Sequence, residues 1–189
     1  MTAPAAPEDF AARARRVRLA CFDVDGTLTD GRLIFDSQGV ESKAFHVHDG
    51  QGLVLLPRAG IAVALVTARH SVVVERRATE LGVQACTGVA DKLGCVQDIA
   101  QAAGLALDEV AFMGDDVPDL RVMAHVGLSA CPADAHAWTR ERAAWRSRLP
   151  GGAGAAREFV DALLAAQGRV DALIAAVLDP APIAVGTRS

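Results

Sequence analysis

The sequence predicts an α/β fold, a Rossmann-like parallel sheet with helices on both faces. Three observations point there. Short apolar runs alternate with longer segments of helical character along most of the chain. Gly60, Gly82 and Gly104 follow three of those segments, as helix stops do. Acids and hydroxyl residues collect where the apolar runs end, and open parallel sheets gather ligands at the carboxyl ends of their strands.

The first apolar run, 17–22, reads as a buried strand that ends at Asp23. Segments 32–35 and 40–47 flank Asp36-Ser37-Gln38-Gly39, a hairpin signal in which Gly39 is free to take positive φ. This hairpin, 32–47, is too small to be a cap domain. A short helix is expected over 49–58, a second buried strand over 61–66, and a helix from a Ser71 cap to Leu81. A short strand over 83–86, a helix over 91–103, a strand over 110–113, a helix over 117–124 and a strand over 126–130 follow. Asp134 is expected to open another helix. Residues 143–148 read as a weak edge strand, 150–154 as a glycine-rich turn, and 155–167 and 170–177 as the last helices. The expected organisation is one domain over 17–178, between a flexible lead over 1–16 and a flexible tail over 179–189.

Hydrophobic residues make up 51% of the 189 residues, enough for a substantial core and too many for a disordered chain. Aromatics are 4% and Tyr is absent, which argues against a base-stacking surface. A net charge of -4 without a dense basic run argues against a polyanionic partner such as DNA. The four cysteines form no C-x-x-C pair and read as small buried hydrophobes in a reducing compartment. No signal-peptide pattern and no apolar run of membrane-span length is visible, so a cytoplasmic protein without membrane or nucleic-acid partners is expected.

The chemistry sits at the ends of the apolar runs. The first ends in Asp23-Val24-Asp25-Gly26, where two carboxylates one residue apart can reach a single site and Gly26 allows a tight backbone path. Asx-turns or caps would account for either aspartate alone. The second ends in Thr67-Ala68-Arg69, a hydroxyl and a guanidinium suited to phosphate oxygens, though Thr67 alone reads equally as a helix cap. Lys92 opens a helix, where a cation is poorly placed for the helix dipole. Gly114-Asp115-Asp116 and Asp119 crowd three acids at another strand end, and a cation would relieve their repulsion. Capping would explain Asp116 and Asp119 but leave Asp115 without a role. Taken together, carboxylates, a cation, a hydroxyl and a lysine are the components of metal-assisted phosphoryl transfer.

Asp23-Val24-Asp25-Gly26-Thr27-Leu28-Thr29, Thr67, Lys92 and Gly114-Asp115-Asp116, in this order, resemble the four motifs of the haloacid dehalogenase superfamily. The match narrows with residues 23–31, Lys43-Ala44-Phe45, His48-Asp49-Gly50, Thr67-Ala68-Arg69, 126–129, 133–136 and 151–158. These resemble the 3-deoxy-D-manno-octulosonate 8-phosphate (Kdo-8-phosphate) phosphatases over roughly 19–168. His48, Ala68, Arg121 and Ala156 stand where that family more often has Arg, Gly, Pro and Val.

The resemblance implies a cap-less, magnesium-dependent phosphatase, a homotetramer assembled through its hairpins, acting on a small phosphorylated sugar acid in lipopolysaccharide synthesis. It implies Asp23 as nucleophile and Asp25 as general acid and base. Asp23, Asp25 (through its backbone carbonyl) and Asp115 would hold Mg2+, with Asp116 and Asp119 completing or orienting the shell. Thr67 and Lys92 would bind the phosphate, and Lys43, His48, Asp49, Arg69 and Arg157 are candidates for the sugar acid. A nonulosonate 9-phosphate is the alternative substrate. A non-catalytic assembly domain attached to a sugar-acid cytidylyltransferase is the alternative of another class, and the presence of both Asp23 and Asp25 disfavours it.

Overall fold

A computed structural model describes residues 7–179. Among them, six parallel strands form one sheet: β1 (Leu19–Phe22), β4 (Ala62–Val66), β5 (Gln84–Cys86), β6 (Val110–Met113), β7 (Leu128–Cys131) and β8 (Trp145–Arg146). Their order is β5-β4-β1-β6-β7-β8. The chain first moves outward on one side of β1, then returns to β6 on the other. That reversal makes a crevice between the carboxyl ends of β1 and β6. Phe22 lies level with Leu65 of β4 and Met113 of β6, so Asp23, Thr67 and Gly114 all emerge at one edge.

Alternation along β1 assigns its side chains to two cores. Ala20 and Phe22 pack with helices α2 (Val47–Arg58), α3 (Val72–Leu81) and α7 (Ala155–Ala166). Leu19 and Cys21 pack on the other face with α4 (Lys92–Ala102) and α5 (Leu120–Met123). All four residues of β1 are buried. Such continuous apolar character is what a strand covered on both faces requires. Phe159 of α7 meets Phe22 edge-on at 6.3 Å and Trp145 at 5.2 Å, tying the helix to centre and edge of the sheet.

Most boundaries fall within a residue or two of the sequence reading, and several differences have clear causes. Pro7–Ala14, part of the expected flexible lead, is a helix (α1) that packs against α7 with Ala14 fully buried. Residues 1–6 and 180–189 lie outside the described residues, so the lead and tail expected there are not seen. The helix expected from Asp134 begins instead at Ala137 (α6, Ala137–Arg142), because Asp134 Oδ1 accepts from Gly151 N at 2.9 Å. Residues 117–124 split into a short 3-10 turn, Val117–Asp119, and α5. The last helix among the described residues is α8 (Val170–Leu178).

The hairpin is present but short: β2 (Ile34–Phe35) pairs antiparallel with β3 (Glu41–Ser42), and Gly39 turns it at φ 79. Leu33, Ile34, Phe35 and Val40 are each about half exposed on it. No helix among the described residues is long and apolar enough to cross a membrane.

Candidate active site

Asp23 leaves β1 with its N–H bonded to the Met113 carbonyl at 2.9 Å, which continues the strand pairing and fixes the carboxylate at the crevice. The next turn folds tightly over the loop after β6. Gly26, at φ 91, lets Asp115 approach so closely that a β-carbon there would stand 2.1 Å from Asp115 Oδ2. Thr27 Oγ1 donates to Asp115 Oδ1 at 3.3 Å. The glycine turn after β8 backs this loop: a β-carbon at Gly151 would meet the Gly26 carbonyl oxygen at 1.9 Å. Gly152 N donates to the Thr27 carbonyl at 3.1 Å.

Asp119 returns from the 3-10 turn under Gly114 and accepts from the backbone N–H of Asp115 at 3.0 Å and of Asp116 at 3.3 Å. Side-chain oxygens of Asp23, Asp115 and Asp119 come within 4.8 Å of one another. Lys92, at the start of α4 after an Asp91 cap, donates to Asp23 Oδ1 and Asp119 Oδ1, each at 2.6 Å. Its position against the helix dipole is thus explained by two buried anions.

The electrostatics reflect this crowding. Burial, then Asp119, pushes Asp23 up to about 6 against the pull of Lys92. Burial, then Asp23 and Asp119, pushes Asp115 up to about 8. Burial works against the charge of Lys92, but the two aspartates outweigh it and hold its pKa above the usual value. Three carboxylates facing one ammonium form an all-oxygen donor set still short of positive charge. Such a set suits a hard divalent cation such as Mg2+.

Asp25 points the other way. Its Oδ1 accepts from Lys43, Arg69 Nε lies 3.8 Å from its Oδ2, and that Oδ2 has no hydrogen-bond partner. Its side chain is not among the three clustered carboxylates. Thr67 is buried at the end of β4, with its hydroxyl accepting from Arg69 N at 3.3 Å.

Several expected site residues have other partners. Asp116 is not in the cluster; it caps the 3-10 turn, accepting from Val117 N at 2.7 Å. Asp49, a candidate for the sugar acid, is buried under α7. Its oxygens accept from Gly154 N at 3.1 Å and Arg157 N at 2.8 Å, so it anchors that helix's N-terminus instead. The Arg157 side chain pairs with Asp161 at 2.7 Å. Arg157 and His48 line an open groove of about 710 Å³ with Trp145 and Arg148, and none of the clustered carboxylates lines it. Ser71 stands at the N-cap position of α3 as expected, but its hydroxyl donates to Glu41 Oε2 at 2.6 Å and makes no capping bond. Two of Glu41's partners, Arg69 and Ser71, are remote along the chain, so the sequence assigns it no role at the site.

Fold and site together define a cap-less α/β protein of the haloacid dehalogenase type. No protein-family model matches the chain. It is 42% identical over 164 residues to the Kdo-8-phosphate phosphatase KdsC of Escherichia coli K12, covering 86% of this chain and 87% of the relative. Among solved structures it resembles a hypothetical protein of Xanthomonas campestris at 55% identity and TM-score 0.88, covering 93% and 97% of the two chains. It also resembles the Kdo-8-phosphate phosphatase of Moraxella catarrhalis, solved in complex with a magnesium ion, a phosphate ion and Kdo. That match has 37% identity and TM-score 0.88, covering 91% and 99%. The chain belongs to the 3-deoxy-D-manno-octulosonate 8-phosphate phosphatase family.

Proposed function

We propose that this protein is a magnesium-dependent phosphatase that hydrolyses 3-deoxy-D-manno-octulosonate 8-phosphate to Kdo and phosphate. The observation that carries the reading is the convergence of Asp23, Asp115 and Asp119 within 4.8 Å, clamped by Lys92. Asp23, Asp115 and the Asp25 carbonyl would hold Mg2+, with Asp119 positioned to join or orient them. The ion supplies charge neutralisation for the carboxylates and the phosphate.

Asp23 attacks phosphorus with a carboxylate oxygen, and the bond from phosphorus to the sugar oxygen breaks. Asp25 gives its proton to that leaving oxygen. The aspartyl-phosphate on Asp23 is then cleaved by water. Asp25 takes the water proton, the new bond forms to phosphorus, and the Asp23 carboxylate is regenerated as phosphate leaves. Lys92 and Thr67 bind the non-bridging oxygens and offset charge as it develops. Arg69 and Lys43, next to Asp25, face the side on which the sugar departs.

The protein is proposed to act as a homotetramer in the cytoplasm. Half-exposed Leu33, Ile34 and Phe35 on a hairpin of two short strands support assembly through that element. Four unpaired thiols, all among the described residues, suit a reducing compartment. Phe35→Asp should lower the sedimentation mass.

A substrate panel tests the activity. Kdo-8-phosphate should be preferred over hexose phosphates in the presence of magnesium. Preference for a nonulosonate 9-phosphate would move the assignment to another sugar acid, and no turnover of any ester would refute it.

A further inference from the structure

Glu41 opens β3 of the hairpin, with a side chain only 14% exposed. Its Oε2 accepts from Ser71 Oγ at 2.6 Å. Its Oε1 faces Arg69 Nη2 at 3.0 Å and Lys43 Nζ at 3.2 Å. Lys43 also bonds Asp25 Oδ1, and Arg69 Nε lies 3.8 Å from Asp25 Oδ2. Asp25, Lys43, Glu41 and Arg69 therefore form a closed ring of alternating charge. It joins the hairpin to the loops after β1 and β4.

Burial would raise Glu41, but bonds from Ser71, Arg69 and Lys43 outweigh it and hold the carboxyl below its usual range. It is an anion at neutral pH. Removing that charge would leave two cations around Asp25 and take from Lys43, whose side chain is 1% exposed, its second anion. It would also cut the hairpin from the loop after β4, and two strands of two residues have little stability alone. Asp25 Oδ2, the oxygen not already bonded to Lys43, and Arg69 Nε are buried 3.8 Å apart without a hydrogen bond, so this is the loosest link of the ring.

We propose that Glu41 is a positioning residue: by fixing Lys43 and Arg69, it sets Asp25 for proton transfer to the leaving oxygen. The proposal rests on the phosphatase reading above. It also couples the hairpin, and whatever covers it, to the acid step.

The test compares kcat on Kdo-8-phosphate, whose alkoxide leaving group needs a proton, with kcat on p-nitrophenyl phosphate, whose leaving group does not. General acid catalysis is worth about 10²–10⁴-fold, so Glu41→Gln should lower the sugar-phosphate rate about tenfold or more and the aryl rate by less than about threefold. Glu41→Asp, which keeps the charge, should recover part of the difference. Ser71→Ala keeps every charge and removes one anchor. It should show the same selectivity in smaller measure, and it carries the test if Glu41→Gln does not fold. Equal losses on both substrates, which would place the effect on the water step they share or on the fold, or no loss at all, in the folded variants overturn the proposal. Wild-type protein inactive on every phosphate ester would overturn the phosphatase reading, and the proposal with it.

Discussion

The Asp115 carboxylate occupies the space where a side chain at position 26 would begin: a β-carbon on Gly26 would stand 2.1 Å from Asp115 Oδ2. Gly26 also holds φ 91, in the left-handed region. Gly26→Ala should therefore displace Asp115 or the turn carrying Asp25. A displacement of about 1 Å at such a site can cost about 10²-fold in rate, and that is the loss expected for kcat. Steady-state kinetics at saturating magnesium checks it. A rate within about twofold of wild type would mean that this contact does not hold the site together.

Asp49 separates a substrate contact from a structural one. Both its oxygens bond backbone N–H groups at the start of α7, and burial raises its pKa against those bonds. Asp49→Ala leaves two buried donors unpaired, at a cost of about 1–3 kcal/mol each. The expected outcome is a lower unfolding midpoint in denaturant, with the KM of the remaining folded enzyme unchanged. A raised KM at wild-type stability would restore the role expected from the sequence.

Metal binding should depend on pH with a definite sign. Burial, then neighbouring carboxylates, push Asp23 up to about 6 and Asp115 up to about 8 from the ordinary 3.8. A raised folded value gives stability that is present at low pH and lost as pH rises through it. The metal-free protein should thus lose stability from about pH 4 to about pH 8. Magnesium replaces the protons on these groups, so its stabilising effect should grow across the same window. Thermal melts of chelator-treated protein with and without magnesium at pH 5.5 and 8.5 check this. A magnesium shift of equal size at both values would contradict the assigned cluster.

Much of this site was legible in the sequence because its residues sit at strand ends. The β6 run, 110–113, was expected and found with the same bounds, and Gly114 and Asp115 follow it directly. Lys92 stood out because a cation at a helix start conflicts with the dipole. Glu41 carried no such local signal, since Arg69 and Ser71 lie 28 and 30 residues away. Asp49 could not be told from a ligand, because its partners Gly154 and Arg157 lie more than a hundred residues on. The α1 helix packs on α7, a contact that local propensity does not register. The second hairpin strand is shorter than the segment 40–47 suggests, spanning Glu41–Ser42 before α2 begins at Val47.

The central claim is that Asp23 carries the phosphoryl group. The direct measurement is rapid acid quench of the magnesium-loaded enzyme with radiolabelled Kdo-8-phosphate, followed by peptide mapping. The predicted result is transient label on the peptide containing Asp23, and in Asp23→Asn neither label nor turnover. Hydrolysis by Asp23→Asn at near wild-type rate, with no protein-bound label in either form, would contradict it.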